Sequence, residues 1–240
     1  MHADIMEYHE LERDIREALH QGQFHLAYQP KVNIRINQLQ GLEALLRWNS
    51  PTRGNVSPGN FIPVAEESGH IIPLGYWVLN EVCLTLRSWQ DKGLTLVPVS
   101  VNVSARQFQQ PDFHKRVAEV LRKHSIDPSL IEIELTEGLV MEDIDSAQRE
   151  LAQLKKIGLR ISIDDFGTGY SCLSYLRRFP IDVLKIDKSF VQEIGGSRDG
   201  ESIIDAIISL AKSLRLETVA EGVETAAQLH YLLDHGCHVV

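Results

Sequence analysis

The segment Ile163-Asp164-Asp165-Phe166-Gly167-Thr168-Gly169-Tyr170 sets two adjacent carboxylates at the end of an alternating run and follows them with a loop holding two glycines. Neighbouring anions repel, so the pair demands a cation. Other runs place polar groups in the same awkward way. Side chains alternate faces along a strand, so "GLEALLRW" puts Glu43, Leu45 and Arg47 on one face and Leu42, Ala44, Leu46 and Trp48 on the other. Asn102 stands between Val101 and Val103, Glu134 between Ile133 and Leu135, Lys185 interrupts "VLKI" and Glu221 ends "TVAE". Taken singly, an acid at a strand end most often forms a salt bridge or a cap, and Gly167 and Gly169 are ordinary turn formers. Taken together, the five carboxylates Glu43, Glu134, Asp164, Asp165 and Glu221 with the Asn102 amide are costly without a cation. Their pKa values would rise, and a bound divalent metal is the easier solution. All-oxygen ligation points to Mg²⁺ or Mn²⁺, admits Ca²⁺, and excludes zinc.

The elements that must position these groups follow from periodicity. Leu11, Ile15, Ala18 and Leu19 form a helical stripe ahead of Gly22. "FHLAYQPKVNI" and "GLEALLRW", separated by a polar turn around Asn37, predict a hairpin. Val78, Val82, Leu86 and Trp89 mark a helix expected to begin after a break at Pro73-Leu74-Gly75. A β-then-α rhythm then sets in: "LVPVSVNVS" with a helix over 113–124, "IEIELTE" with a helix over 144–157, "RISIDDF" with a short helix, "DVLKID" with helical stretches, and "ETVAEGV" with a helix over 225–234. Such units build a parallel sheet with right-handed crossovers, and "CHVV" starts one more strand. The fold class predicted is α/β, a modified (β/α)8 barrel with an antiparallel first strand, because a short polar turn cannot join parallel neighbours. Barrels place their chemistry at the C-terminal strand ends. No G-x-G-x-x-G follows the first strand, which lowers the dinucleotide-fold alternative.

Composition bounds the rest. A chain of 240 residues with 43 % apolar content buries one large core. A net charge of −9 argues against a nucleic-acid polymer or an anionic membrane as partner. Cys83, Cys172 and Cys237 are widely spaced, without a C-x-x-C pair or zinc spacing, as in reduced cytoplasmic proteins. No apolar run approaches a membrane span. "DFG" at 165–167 hints at a protein kinase, but that family's catalytic-loop and strand-lysine motifs are missing.

"EALLRW", "SVNVSA", "IELTE", "IDDFGTGYSCL", "LKIDKSFV" and "VAEGVET", in that order, resemble the EAL domain family, whose members hydrolyse cyclic di-guanylate (cyclic di-GMP) or bind it without cleaving it. The resemblance implies a metal-dependent phosphodiesterase giving linear 5′-pGpG, with an inactive receptor as the alternative and a protein-interaction domain as a third reading. It assigns Glu43, Asn102, Glu134 and Asp164 to a first metal site. Asp164, Asp165 and Glu221 form the second, with Asp164 bridging and Lys185 holding the attacking water. Arg47, through its planar donors, suits a phosphate oxygen; Gln29 and Leu45 are candidate substrate contacts, Gln29 also suiting a buried hydrogen bond. Mg²⁺ or Mn²⁺ is the implied cofactor, with Ca²⁺ inhibitory. Glu137 is the implied anchor of the loop "FGTGYSCL", in which Cys172 replaces a common serine, and a homodimer is expected through residues 166–178. The resemblance places an EAL domain at 11–240, C-terminally incomplete because relatives continue past "GCHVV". Residues 1–10 read as a linker from an upstream sensory or GGDEF domain, in a cytoplasmic location even where a parent protein is membrane-anchored.

Overall fold

The computed structural model describes residues 2–168, 176–196 and 198–240. Eight strands run as β1 (Phe24–Asn33), β2 (Gln38–Ser50), β3 (Gly54–Val56), β4 (Val99–Asn102), β5 (Ile131–Thr136), β6 (Arg160–Phe166), β7 (Val183–Ile186) and β8 (Glu217–Ala220). Their order in the sheet is β1-β2-β4-β5-β6-β7-β8, with β3 paired on β2. Val239 bridges Asn33 in antiparallel and Val219 in parallel sense, so the last residues close the strand order into a ring. This is the α/β barrel class, with parallel strands after an antiparallel start, and the short β3 also runs antiparallel to β2. The turn between β1 and β2 is tight, with Asn37 at φ 51°, a left-handed conformation that asparagine tolerates. Among the described residues no helix is long and apolar enough to cross a membrane.

Two compact units share the chain. The first comprises residues 1–29, 44–96 and 101–126. Its helix His2–Gln21 takes in the residues read as a linker and buries Leu11, Ile15 and Ala18 in a cluster with Phe24, Trp48, Phe61 and Leu74. Trp48 packs edge-on to Phe61 and donates its indole N–H to Gln23 at 3.1 Å, so the ring is buried without a stranded donor. The helix Pro58–Ser68 was not anticipated from sequence; Pro58 opens it, where a missing N–H costs nothing. The expected break at Pro73-Leu74-Gly75 is corrected: one helix spans Ile71–Asp91. Pro73 lies in its first turn, where no intrahelical partner for its nitrogen exists. Gly75 permits a close approach, since a Cβ there would stand 1.8 Å from the Gln107 side-chain amide.

The second unit comprises residues 30–43, 97–100 and 127–240. Helices Phe113–His124 in the first unit and Ile144–Ile157 in the second coincide with the predicted spans. In the second unit β5 to β8 are parallel, with Leu135 opposite Ile163 and Ile163 opposite Leu184. Ile131, Ile133, Leu135, Ile161 and Ile163 are fully buried on one face of the strands. Alternation therefore turns Glu132, Glu134, Ser162 and Asp164 to the other.

Candidate functional site

Four carboxylates of the second unit converge on Lys185, a β7 side chain only 1 % exposed. Its Nζ lies 2.6 Å from Glu221 Oε1, 3.1 Å from Asp164 Oδ2, 3.3 Å from Glu134 Oε1 and 3.4 Å from Glu43 Oε2. Burial by itself would drive the proton off this lysine; the surrounding carboxylates outweigh it and hold the ammonium well above the usual lysine range. The acids respond in the opposite sense. Burial raises the Glu134 carboxyl despite Lys185 and Lys31, and burial also raises Glu221. Glu221 leaves β8 with its N–H donated to the Ile186 carbonyl at 3.1 Å, which extends the β7–β8 ladder by the residue the site needs.

Asp164 and Asp165 would point to opposite faces of a regular strand. The β6–β7 register shifts between Ile163 and Phe166, so three steps on β6 match two on β7. Asp165 takes φ 53° at this bulge, a left-handed conformation that aspartate, like asparagine, adopts more readily than most residues. Its N–H donates to Asp164 Oδ1 at 2.9 Å and its carbonyl accepts from the Thr168 hydroxyl at 2.8 Å. Burial, then the Asp164 charge, raises the Asp165 carboxyl. Glu137, buried in the helix Glu137–Glu142 that follows β5, accepts the Gly167 N–H at 3.0 Å.

Gln29, Leu45, Arg47 and Asn102 belong to the first unit. Gln29 is exposed near the middle of β1, so the buried hydrogen bond is set aside. Leu45 and Arg47 are half-buried on β2, and Arg47 donates to the Leu46 carbonyl at 2.9 Å. Asn102 is exposed and closes β4 just ahead of the Ser104–Gln107 capping box. Gly169, Cys172 and most of the segment expected at a dimer interface lie outside the described residues.

The sequence reading missed a second buried lysine. Lys31 Nζ donates to Glu134 Oε1 at 2.7 Å, to Glu132 Oε1 at 3.0 Å and to the Ser100 hydroxyl. Arg160 holds the other Glu132 oxygen at 3.1 Å and Glu217 at 2.7 Å. Lys31 stands between Pro30 and Val32, a signal of the kind that marked Glu134.

The donor set suits a hard divalent cation, and one buried atom argues the fit directly. Glu134 Oε1 receives both lysines, whereas Glu134 Oε2 is buried with no hydrogen-bond partner among the described residues. Such an orphan costs about 1–3 kcal/mol unless it finds a ligand. No group of three Asp, Glu, His or Cys side chains stands in ligating geometry among the described residues.

A model described as the EAL domain matches residues 12–240. The chain is 44% identical over 238 residues to the bifunctional diguanylate cyclase/cyclic di-GMP phosphodiesterase MucR of Pseudomonas aeruginosa, covering 99% of this chain and 35% of that protein. It is 41% identical over 236 residues to the cyclic di-GMP phosphodiesterase PdeR of Escherichia coli, covering 98% and 35%. A solved structure described as the PaMucR phosphodiesterase in complex with c-di-GMP superposes with a TM-score of 0.92 at 44% identity, over 96% of this chain and 93% of that one. The chain thus spans about a third of the length of these two curated relatives.

Proposed function

The chain belongs to the EAL domain family, and from that premise we propose that it hydrolyses cyclic di-GMP to linear 5′-pGpG with Mg²⁺ or Mn²⁺. The observation that carries the reading is the convergence of Glu43, Glu134, Asp164 and Glu221 on buried Lys185, beside the orphaned Glu134 Oε2. MucR and PdeR are named as cyclic di-GMP phosphodiesterases, and the MucR structure is described as a c-di-GMP complex.

In this reading Glu43, Asn102, Glu134, Asp164, Asp165 and Glu221 hold the metal ions. The ions, when bound, supply Lewis acidity and positive charge at the phosphate. Lys185 keeps its proton, orients the attacking water and offsets charge that builds on the phosphoryl oxygens. Arg47 takes a phosphate oxygen through its fork of donors, while Gln29 and Leu45 contact the substrate edge. Water adds to phosphorus and the P–O3′ bond breaks, which leaves a 5′-phosphate and a free 3′-hydroxyl. Glu137 holds the Gly167 end of β6 and so the bulge carrying Asp165. A homodimer through residues 166–178, an upstream GGDEF or sensory domain and a cytoplasmic location complete the proposal.

Mass spectrometry of cyclic di-GMP incubated with the protein tests it. Linear pGpG is expected with Mg²⁺ or Mn²⁺, is lost in excess chelator, and is suppressed by Ca²⁺, whose longer and looser coordination misplaces the reacting groups. Full turnover in chelator would overturn the metal dependence. Binding without turnover in Mg²⁺ would assign the chain to the receptor class.

A further inference from the structure

The buried network around Lys31 does more than fill the interior of the second unit. An ammonium has three N–H donors, and those of Lys31 go to Ser100 Oγ, Glu132 Oε1 and Glu134 Oε1. The lysine is thereby fixed from behind. Ser100 donates in turn to Glu132 Oε1 at 2.9 Å, and Arg160 holds the far oxygen of Glu132. Lys31 is only 9 % exposed, and solvent cannot easily replace it. Both lysines of the unit's interior reach the same Glu134 oxygen, at 2.7 Å from Lys31 and 3.3 Å from Lys185. The second oxygen is left buried and unpartnered among the described residues.

We infer that Lys31 is a positioning residue for Glu134: by occupying Oε1 from the Glu132–Arg160 side it fixes the rotation of the carboxylate and reserves Oε2 for a divalent cation. The assignment rests on the metal-dependent reading above. Lys185 cannot supply this orientation alone, since its ammonium is shared with Glu43, Asp164 and Glu221. Lys31 reaches only one of the acids on Lys185. Outer partners that orient metal-binding carboxylates commonly govern affinity by about 10–100-fold, and Lys31 stands in that relation to Glu134.

Mn²⁺ titration of the purified full chain, followed by the electron paramagnetic resonance of free Mn²⁺, separates positioning from plain stabilisation. Lys31→Met is expected to weaken Mn²⁺ binding by about 10–100-fold. Arg160→Met, which breaks the same network without touching Glu134, is expected to lower the melting temperature while leaving Mn²⁺ affinity at the wild-type value. Ser100→Ala, which removes one of the three acceptors of Lys31 and is the milder change should Lys31→Met not fold, is expected to weaken Mn²⁺ in the same direction by less. Wild-type affinity in both Lys31→Met and Ser100→Ala would overturn the assignment, as would an equal loss in Arg160→Met, which would reduce Lys31 to a structural cation. Absence of Mn²⁺ binding by the wild type would overturn the metal reading, and the assignment with it.

Discussion

Gly167 donates its backbone N–H to Glu137 Oε2 at 3.0 Å, which ties the end of β6 to the helix that follows β5. The bond sits two residues beyond Asp165, which takes φ 53° at the bulge. Glu137→Ala leaves that N–H without its acceptor and is expected to cost about 1–3 kcal/mol of unfolding free energy in urea. Turnover of cyclic di-GMP is expected to fall more steeply than stability, because the bulge carrying Asp165 loosens first. Equal activity at equal Mg²⁺ would show that the bulge holds itself.

Gly222 follows Glu221 at φ 66°, and a Cβ there would stand 2.6 Å from Lys188 Cβ. Both the left-handed backbone and the contact oppose any larger residue. Gly222→Ala is expected to destabilise the protein by about 2 kcal/mol or more and to move Glu221 off Lys185, its nearest carboxylate at 2.6 Å. Thermal melts and Mg²⁺-dependent rates measured on the same preparation check this; an unchanged melt would show that Lys188 yields.

Most of the carboxylate cluster on Lys185 was legible because a charged side chain in an apolar alternation has few places to go. Glu43, Glu134 and Lys185 stood out by that rule, and the structure brings them together with Asp164 and Glu221. The β6 bulge was not legible, since the same alternation rule sends Asp164 and Asp165 to opposite faces. Lys31 carried the same signal, between Pro30 and Val32, but Pro30 breaks the apolar alternation that marked the other residues. In the fold, the helices over 113–124 and 144–157 were clear from their apolar stripes. Pro73 and Gly75 mimicked a break, because local propensity yields when tertiary packing covers the face.

Cys83 is fully buried in the helix Ile71–Asp91, and burial pushes its thiol up to about 12. Cys237 is also buried, with its thiol raised by burial. Thiolate is the reactive form, so neither should react with an aromatic disulfide reagent in the native state, even near pH 9. Peptide mapping of protein labelled before and after denaturation in guanidinium tests this. Native labelling of Cys83 or Cys237 would contradict the packing described.

In the function proposed above, Lys185 carries opposite burdens in stability and in catalysis. It is the cation on which Glu43, Glu134, Asp164 and Glu221 converge, and removing one partner of a buried ionic cluster leaves like charges facing one another. Lys185→Met is therefore expected to lower the unfolding free energy of metal-free protein by about 3–5 kcal/mol. With Lys31 left as a counter-charge to Glu134 alone among these acids, a divalent cation becomes the main means of neutralising the cluster, so Mg²⁺ should raise the melting temperature of the variant more than that of the wild type. Turnover should still fall well below wild type with little change in affinity for cyclic di-GMP, since the lost ammonium acts on the water and the developing charge rather than on the bound ground state. Scanning calorimetry with and without Mg²⁺, beside single-turnover rates, separates the two burdens. An equal Mg²⁺ shift in both proteins would mean that the carboxylates do not depend on Lys185 for their charge balance.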